Sequence, residues 1–174
     1  EDIKSEDRVS ALLPIIRKSI SDEGWRLFRP KGEVLQWLAR ASMMQQITSD
    51  KEWPDFSMAG LINNLDAWLA PYLTDISSLK ALRKLKLLEI LRSRLTREQQ
   101  QLLETSLVAR IEVPSGSSYL IDYTATPPVL AVKLQEMFGA TATPAVANGR
   151  VPLMLHLLSP GGHPLAVTQD LSGF

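Results

Sequence analysis

The sequence predicts an α+β fold: an N-terminal helical part, then a small antiparallel sheet built from hairpins with one packed helix. Three observations predict it. Up to about residue 105 the apolar residues recur at spacings of three and four, as on the buried stripe of a helix. Beyond that point the spacing drops towards two, as in strands that bury one face. The punctuation changes with it, from Ser and Thr at helix starts to Pro-Gly and Asn-Gly pairs at turns. The expected division is a mainly helical subdomain over 1–105 and an α+β subdomain over 106–174.

In chain order, Val9, Leu12, Leu13, Ile16 and Ile20 form the first stripe, and Gly24 follows as its stop. Pro14 interrupts the pattern, so the helix is expected either to begin near Ser10 or to kink there. A second helix is predicted from about Lys31 to Ile47 with Val34, Leu35, Leu38 and Ala41 on one side. After the polar stretch TSDKEWPDFS, Ser57 is a good N-cap for a third helix carrying Leu61, Ile62, Leu65, Trp68, Leu69 and Tyr72, with Pro71 marking its end. Ser78 can cap a short helix through Leu82, and Leu87, Leu88, Leu91 and Leu95 continue the apolar side. Thr96 and Gln99 have capping-box spacing, which starts another helix that ends near Thr105.

The runs LVARIEV and SYLIDY are β-prone and are joined by Pro114, Ser115 and Gly116, which supply hairpin turn chemistry. PPVLAVKLQEMFG, residues 127–139, is expected to be the packed helix. Thr126 would cap it, Pro127 would take the first helical position, Leu130, Leu134, Met137 and Phe138 would be buried, and Gly139 would end it. Asn148 and Gly149 favour a two-residue hairpin turn, and VPLMLHLL and PLAVTQDL are two further strands linked through Pro160, Gly161 and Gly162.

With 174 residues and 45% hydrophobic composition the chain can bury a core. It has no apolar run of about 18 residues, so no membrane partner is expected. It also lacks a signal-peptide pattern and any cysteine, and a cytoplasmic location fits both. It starts at Glu1 without a methionine and stops at Phe174, which reads as a piece of a longer protein. His156 and His163 are the two histidines, too few without distant carboxylates for a zinc site, and no metal is expected. The formal charge is zero but unevenly spread. Lys80, Arg83, Lys84, Lys86, Arg92, Arg94 and Arg97 face Glu89 alone in one segment, while Asp50, Glu52, Asp55, Asp66 and Asp75 face Lys51 in another.

No GxxxxGK[ST] loop is present to cradle a phosphate, nor GxGxxG, nor the GxSxG elbow of a serine nucleophile. A hydrolase built on Ser115 or Asp122 is therefore a distant reading, since no base or oxyanion arrangement accompanies them. The seven basic residues of 80–97 are the nucleic-acid-binding candidates, because clustered cations off an apolar stripe can displace counterions from phosphates. The plainer reading is a solvated helix face. Trp25, Phe28, Trp37, Trp53 and Trp68 could stack bases, but tryptophan in an apolar stripe more often packs helices together.

Taken together, WPDFS, NLDAWLAPYL, VPSGSSYLIDY, PPVLAVKLQEMFG, GRVPLMLHLLSP and HPLAVTQDLSGF resemble the C-terminal region of bacterial ATP-dependent helicases of the HrpB family, relatives of the DEAH-box RNA helicases. The resemblance implies a non-catalytic accessory module that follows two RecA-like motor domains. ATP and Mg are then expected only in those motor domains, with no cofactor in this chain. The implied partners are the motor domains of the same parent chain and single-stranded RNA. The alternative is a purely structural or protein-interaction module with no nucleic-acid contact, favoured by zero net charge and the acidic stretch 50–75.

Overall fold

In a computed structural model, which describes residues 2–171, the chain divides into two compact units, Glu1–Gln99 and Gln100–Phe174. The first is helical. Its opening helix α1 (Asp2–Glu23) starts well before Ser10 and contains Pro14 in its interior. The helix carries on past the missing amide because Ile16 and Ile20 beyond it are buried, 3% and 2% exposed. A 3-10 turn at Gly24–Phe28 ends at Arg29, whose backbone takes the left-handed conformation. Helix α2 (Gly32–Ile47) follows as expected and buries Val34, Trp37, Leu38, Ala41 and Met44. Leu35 does not join them and lies exposed.

The predicted third helix is broken into pieces. Ser57 caps α3 (Met58–Asn63), its hydroxyl accepting from the Gly60 amide at 3.1 Å. The helix stops after one and a half turns and restarts as α4 (Leu65–Trp68), then tightens into a 3-10 turn at Ala70–Tyr72 that leaves Tyr72 exposed. Leu61, Leu65, Trp68 and Leu69 are buried as the stripe requires. Three side chains close the exposed end of α3: Asn64 Nδ2 donates to the Gly60 carbonyl at 2.7 Å, Trp68 Nε1 to Leu61 at 2.8 Å and Arg17 to Ile62 at 2.7 Å. The Leu61 and Ile62 carbonyls are among those that a helix terminus leaves without intrahelical partners, whereas the Gly60 carbonyl also accepts the Asn64 amide at 3.1 Å. Gly60 is required here. A Cβ on it would come within 2.3 Å of the Asp55 carboxyl, which itself accepts the Ser57 amide.

Ser78 caps α5 (Leu79–Arg83) as expected, and α6 (Leu87–Arg92) buries Leu87, Ile90 and Leu91. The capping box forms at the start of α7 (Arg97–Ser106). Gln99 N donates to Thr96 Oγ1 at 3.1 Å and Thr96 N to Gln99 Oε1 at 2.9 Å. The same amide does more than cap, since its Nε2 donates to Asp50 Oδ2 at 3.0 Å and ties the 48–53 loop to the helix start. Gln99 is accordingly buried.

In the second unit, β1 (Arg110–Glu112) and β2 (Ser118–Leu120) make the expected antiparallel hairpin. The segment 127–139 departs from expectation. It is not a helix. Val129–Lys133 is a strand, β3, followed by one 3-10 turn at Leu134–Met137. Leu130 and Val132 point inward and are fully buried, Val129 and Ala131 alternate with them, and Phe138 is 70% exposed. Period two and period 3.6 coincide over so short an apolar run, and two β-branched valines favour the strand once a partner is available.

The partner is β6 (Met154–Leu158), which lies parallel to β3 and antiparallel to β7 (Pro164–Thr168), giving the order β3-β6-β7. The sheet is therefore mixed, and the α+β class stands with a strand in place of the packed helix. Between β3 and β6, β4 (Ala145–Val146) and β5 (Val151–Pro152) form a hairpin. Its Asn-Gly turn is closed by the Arg150 amide on the Ala147 carbonyl at 3.1 Å, with Asn148 and Gly149 both at positive φ. Ala147 is left-handed as well, so four residues rather than two separate the paired strands.

One face of the three-stranded sheet is the core of this unit: Leu130, Val132, Leu155 and Leu157 are all fully buried. The register places Val129, Ala131, Met154, His156 and Val167 on the opposite face, where Val167 is 59% exposed, and Leu165, skipped by the register shift beside Leu158, is 56% exposed.

Two measurements check this fold. In urea unfolding, Leu130→Ala should cost about 2–5 kcal/mol while Phe138→Ala stays within about 0.5 kcal/mol; the reverse order would restore the helix. Asp50 is held below its ordinary value of 3.8 by the Gln99 side chain first and the Glu52 amide second, with burial opposing. A depressed folded value contributes stability that is complete above the ordinary value and is lost as pH falls through the lowered one. Asp50→Asn should therefore lose less of its melting temperature below pH 3.8 than the wild type does.

Candidate functional site

The basic segment does not form one uniform face. Lys80, Lys84, Lys86, Arg92 and Arg97 are exposed, whereas Arg83 and Arg94 are half-buried. Arg83 is partly spent on structure, its Nε donating to the Leu27 carbonyl at 3.0 Å across 56 residues of chain. Lys80, Lys84 and Lys86 make no ion pair among the described residues. Lys84, Lys86 and Arg92 rim a cleft of about 460 Å³ together with Lys31 from the start of α2, and Glu33 and Glu89 interrupt that rim. The floor is apolar, formed by Phe28, Val34, Leu82 and Leu87. Alternating signs lower the attraction of this cleft for polyanions below what the sequence count suggests.

A second cleft, of about 540 Å³, opens beside the 3-10 turn. Trp25, Arg26, Arg29, Leu35 and Arg83 line it, with Glu23 as its single acid. Sequence reasoning missed this group because Arg26 and Arg29 stand outside the dense basic run. The tryptophan beside two near-adjacent arginines was the available signal. The other candidate stacking rings are buried: Phe28, Trp37, Trp53 and Trp68 are at most 6% exposed. Trp25 alone stays half-buried, tilted against Phe28 at 6.0 Å and Trp68 at 6.2 Å between ring centroids.

The acidic stretch is largely occupied with its own backbone. Asp50 accepts from Gln99 and the Glu52 amide, Asp55 from the Ser57 amide, and Asp66 meets Arg17 at 4.0 Å. In the second unit the Ser115 hydroxyl contacts Glu136 Oε1 at 3.3 Å, and Asp122 Oδ1 accepts from the amide of Thr124 at 3.0 Å in a local turn. Neither bond joins Ser115 to a histidine or to Asp122. His156 lies half-buried on the outward sheet face and His163 is exposed in the β6–β7 turn. No helix among the described residues is long and apolar enough to cross a membrane.

Residues 68–174 match the HrpB_C family model, described as ATP-dependent helicase C-terminal. The chain is 41% identical over 155 residues to the ATP-dependent RNA helicase HrpB of Escherichia coli (strain K12), covering 84% of this chain and 19% of that one. Two solved structures are similar as well. The E. coli DExH-box NTPase HrpB superposes with a TM-score of 0.79 at 38% identity, and the Escherichia coli DEAH/RHA helicase HrpB with 0.74 at 37%. Each alignment covers 91% of this chain and 20% of the other, so the chain spans about a fifth of the length of these relatives.

The split within the basic segment is testable by stability alone. Arg83→Ala strands a part-buried carbonyl and should cost about 1–3 kcal/mol, whereas Lys84→Ala should stay within about 0.5 kcal/mol. Chemical unfolding of the two variants reads the difference directly, and equal effects would mean that the Arg83 bond carries no weight.

Proposed function

The chain belongs to the ATP-dependent helicase C-terminal family, and from that premise we propose that it is a non-catalytic accessory module of an ATP-dependent RNA helicase, packing against the motor domains and contacting RNA. The observation that carries the reading is the outward face of the β3-β6-β7 sheet. Val129, Ala131, Met154 and Val167 give it an apolar surface on which Val167 is exposed, the kind that marks a partner site in a soluble protein. A motor domain of the parent chain is the partner that the family supplies. The absence of a phosphate-binding loop supports the non-catalytic part, with ATP and Mg held by the motor. The RNA part is supported by Lys80, Lys84 and Lys86, exposed cations without ion pairs among the described residues.

The purely structural reading has its own support in the acids that interrupt the first cleft, Glu33 and Glu89. One experiment separates the two: RNA-stimulated ATP turnover by the full-length parent, measured against RNA and salt concentration. Val167→Lys on the sheet face should lower turnover at saturating RNA. Reversing Lys80, Lys84 and Lys86 to Glu should raise the half-saturating RNA concentration and reduce the log-log salt slope by about 0.7 per lost contact. Arg83 is left intact in that variant because it holds the Leu27 carbonyl. Unchanged half-saturation and slope in a folded triple variant would leave the structural module as the reading. Unchanged turnover in Val167→Lys would remove the docking role of the sheet face.

A further inference from the structure

We infer that the cleft beside the 3-10 turn is a nucleotide subsite for single-stranded nucleic acid, with Arg26 and Arg29 taking backbone phosphate and Trp25 offering its ring to a base. The inference rests on the RNA-contact reading above, and adds to it a site outside the 80–97 segment.

Arg29 is the starting observation. Its φ of 46° puts a residue with a Cβ in the left-handed region, at the end of the 3-10 turn. Glycine takes this conformation freely, while other residues pay for it. A non-glycine residue held there invites a search for what its side chain does. Folding does not use that side chain, because the Arg29 guanidinium is exposed and makes no hydrogen bond or ion pair among the described residues. Arg26, three residues earlier, is in the same condition, and both line the same cleft. Arg83 stands on the cleft too. Its Nε is spent on Leu27, but the guanidinium has five donors, which leaves its terminal groups for a ligand.

Guanidinium groups match phosphate geometry in a fork, which fits a phosphodiester better than scattered ammonium groups do. Trp25 supplies the second half of the recognition, as the one tryptophan that is not buried. Aromatic rings beside a cationic track are how single strands are held without sequence preference, each stacked base worth about 1–3 kcal/mol. Glu23 at the rim lowers the affinity for any polyanion and sets a requirement for more than charge alone.

The test uses the chain and a fluorescein-labelled single-stranded oligouridylate, with binding followed by anisotropy across a salt series and by tryptophan emission. Arg29→Gly is the decisive variant, because glycine suits the left-handed position: it should melt no lower than wild type and yet bind about tenfold more weakly, with the salt slope reduced by about 0.7. Arg26→Gln should behave alike. Stacking on Trp25 should quench tryptophan emission in the wild type, and Trp25→Phe should abolish the quench while retaining measurable binding. If Arg29→Gly and Arg26→Gln bind as wild type while the Lys80, Lys84 and Lys86 reversal weakens binding, the cleft assignment falls and the RNA-contact reading survives. The opposite pattern keeps the cleft and removes the lysines. Displacement of the RNA by polyglutamate as readily as by unlabelled oligouridylate would show a site that reads charge only and would overturn the nucleotide subsite, as would no binding by the wild-type chain.

Discussion

Short helices impose the constraint on which the helical unit depends: a helix of four to six residues has more unpaired backbone groups than paired ones. The unit is built largely of such helices after α2, and it meets the constraint with long side chains arriving from elsewhere in the sequence. Trp68 donates its indole to the Leu61 carbonyl at 2.8 Å and Arg17 to Ile62 at the end of α3, and Arg83 donates to Leu27 in the 3-10 turn. Each bond satisfies a carbonyl and fixes the distance between two segments at once. Trp68 therefore does two jobs, burying area through its ring and closing a helix end through its single N–H, while the Trp53 indole ties its loop to the middle of α2 by donating to the Ala41 carbonyl at 2.9 Å. This explains why so many of the aromatic and cationic side chains are unavailable for ligands, and why the exceptions, Trp25, Arg26 and Arg29, stand out.

The second unit solves a different problem. Strand β6 is central, with β3 and β7 on either side, so its backbone is paired on both edges and its inward leucines fill the core. A three-stranded sheet has two faces and this unit covers one of them. The open face keeps apolar residues where a solvated sheet would alternate to polar ones. Lys133 and His156 are its only ionisable groups among the described residues of these strands. Its character follows from the register, since a slip by one residue would exchange the two faces entirely.

Local electrostatics explains why the charge count misleads. The acidic stretch 50–75 looks like a partner-binding surface in sequence, but Asp50, Asp55 and Asp66 turn to local amides, Gln99 and Arg17. The basic stretch 80–97 looks continuous, but α5 and α6 scatter it. Arg83 turns inward, and the remainder around the first cleft alternates with Glu33 and Glu89. Short-range bonding settles both before any long-range field does.

Sequence alone determined what depends on near neighbours. The caps at Ser57 and Ser78, the Thr96–Gln99 box, the extent of α2 and the hairpins on either side of Pro114 and Gly161 form where the residues indicate, because each involves groups within a few positions of one another. Tertiary structure decided what depends on a distant partner. Residues 129–133 satisfy both periods, and only β6, about twenty-five residues further on, makes them a strand and turns Phe138 out to solvent. Asn64 breaks the third helix because Trp68 and Arg17 can close its end. The second cleft brings Trp25, Arg26 and Arg29 up against Arg83, a placement no spacing encodes. The physical reason is the same in each case: hydrogen bonds and torsions are read locally, whereas the choice between two locally adequate states goes to whichever buries more apolar surface with its polar groups paired.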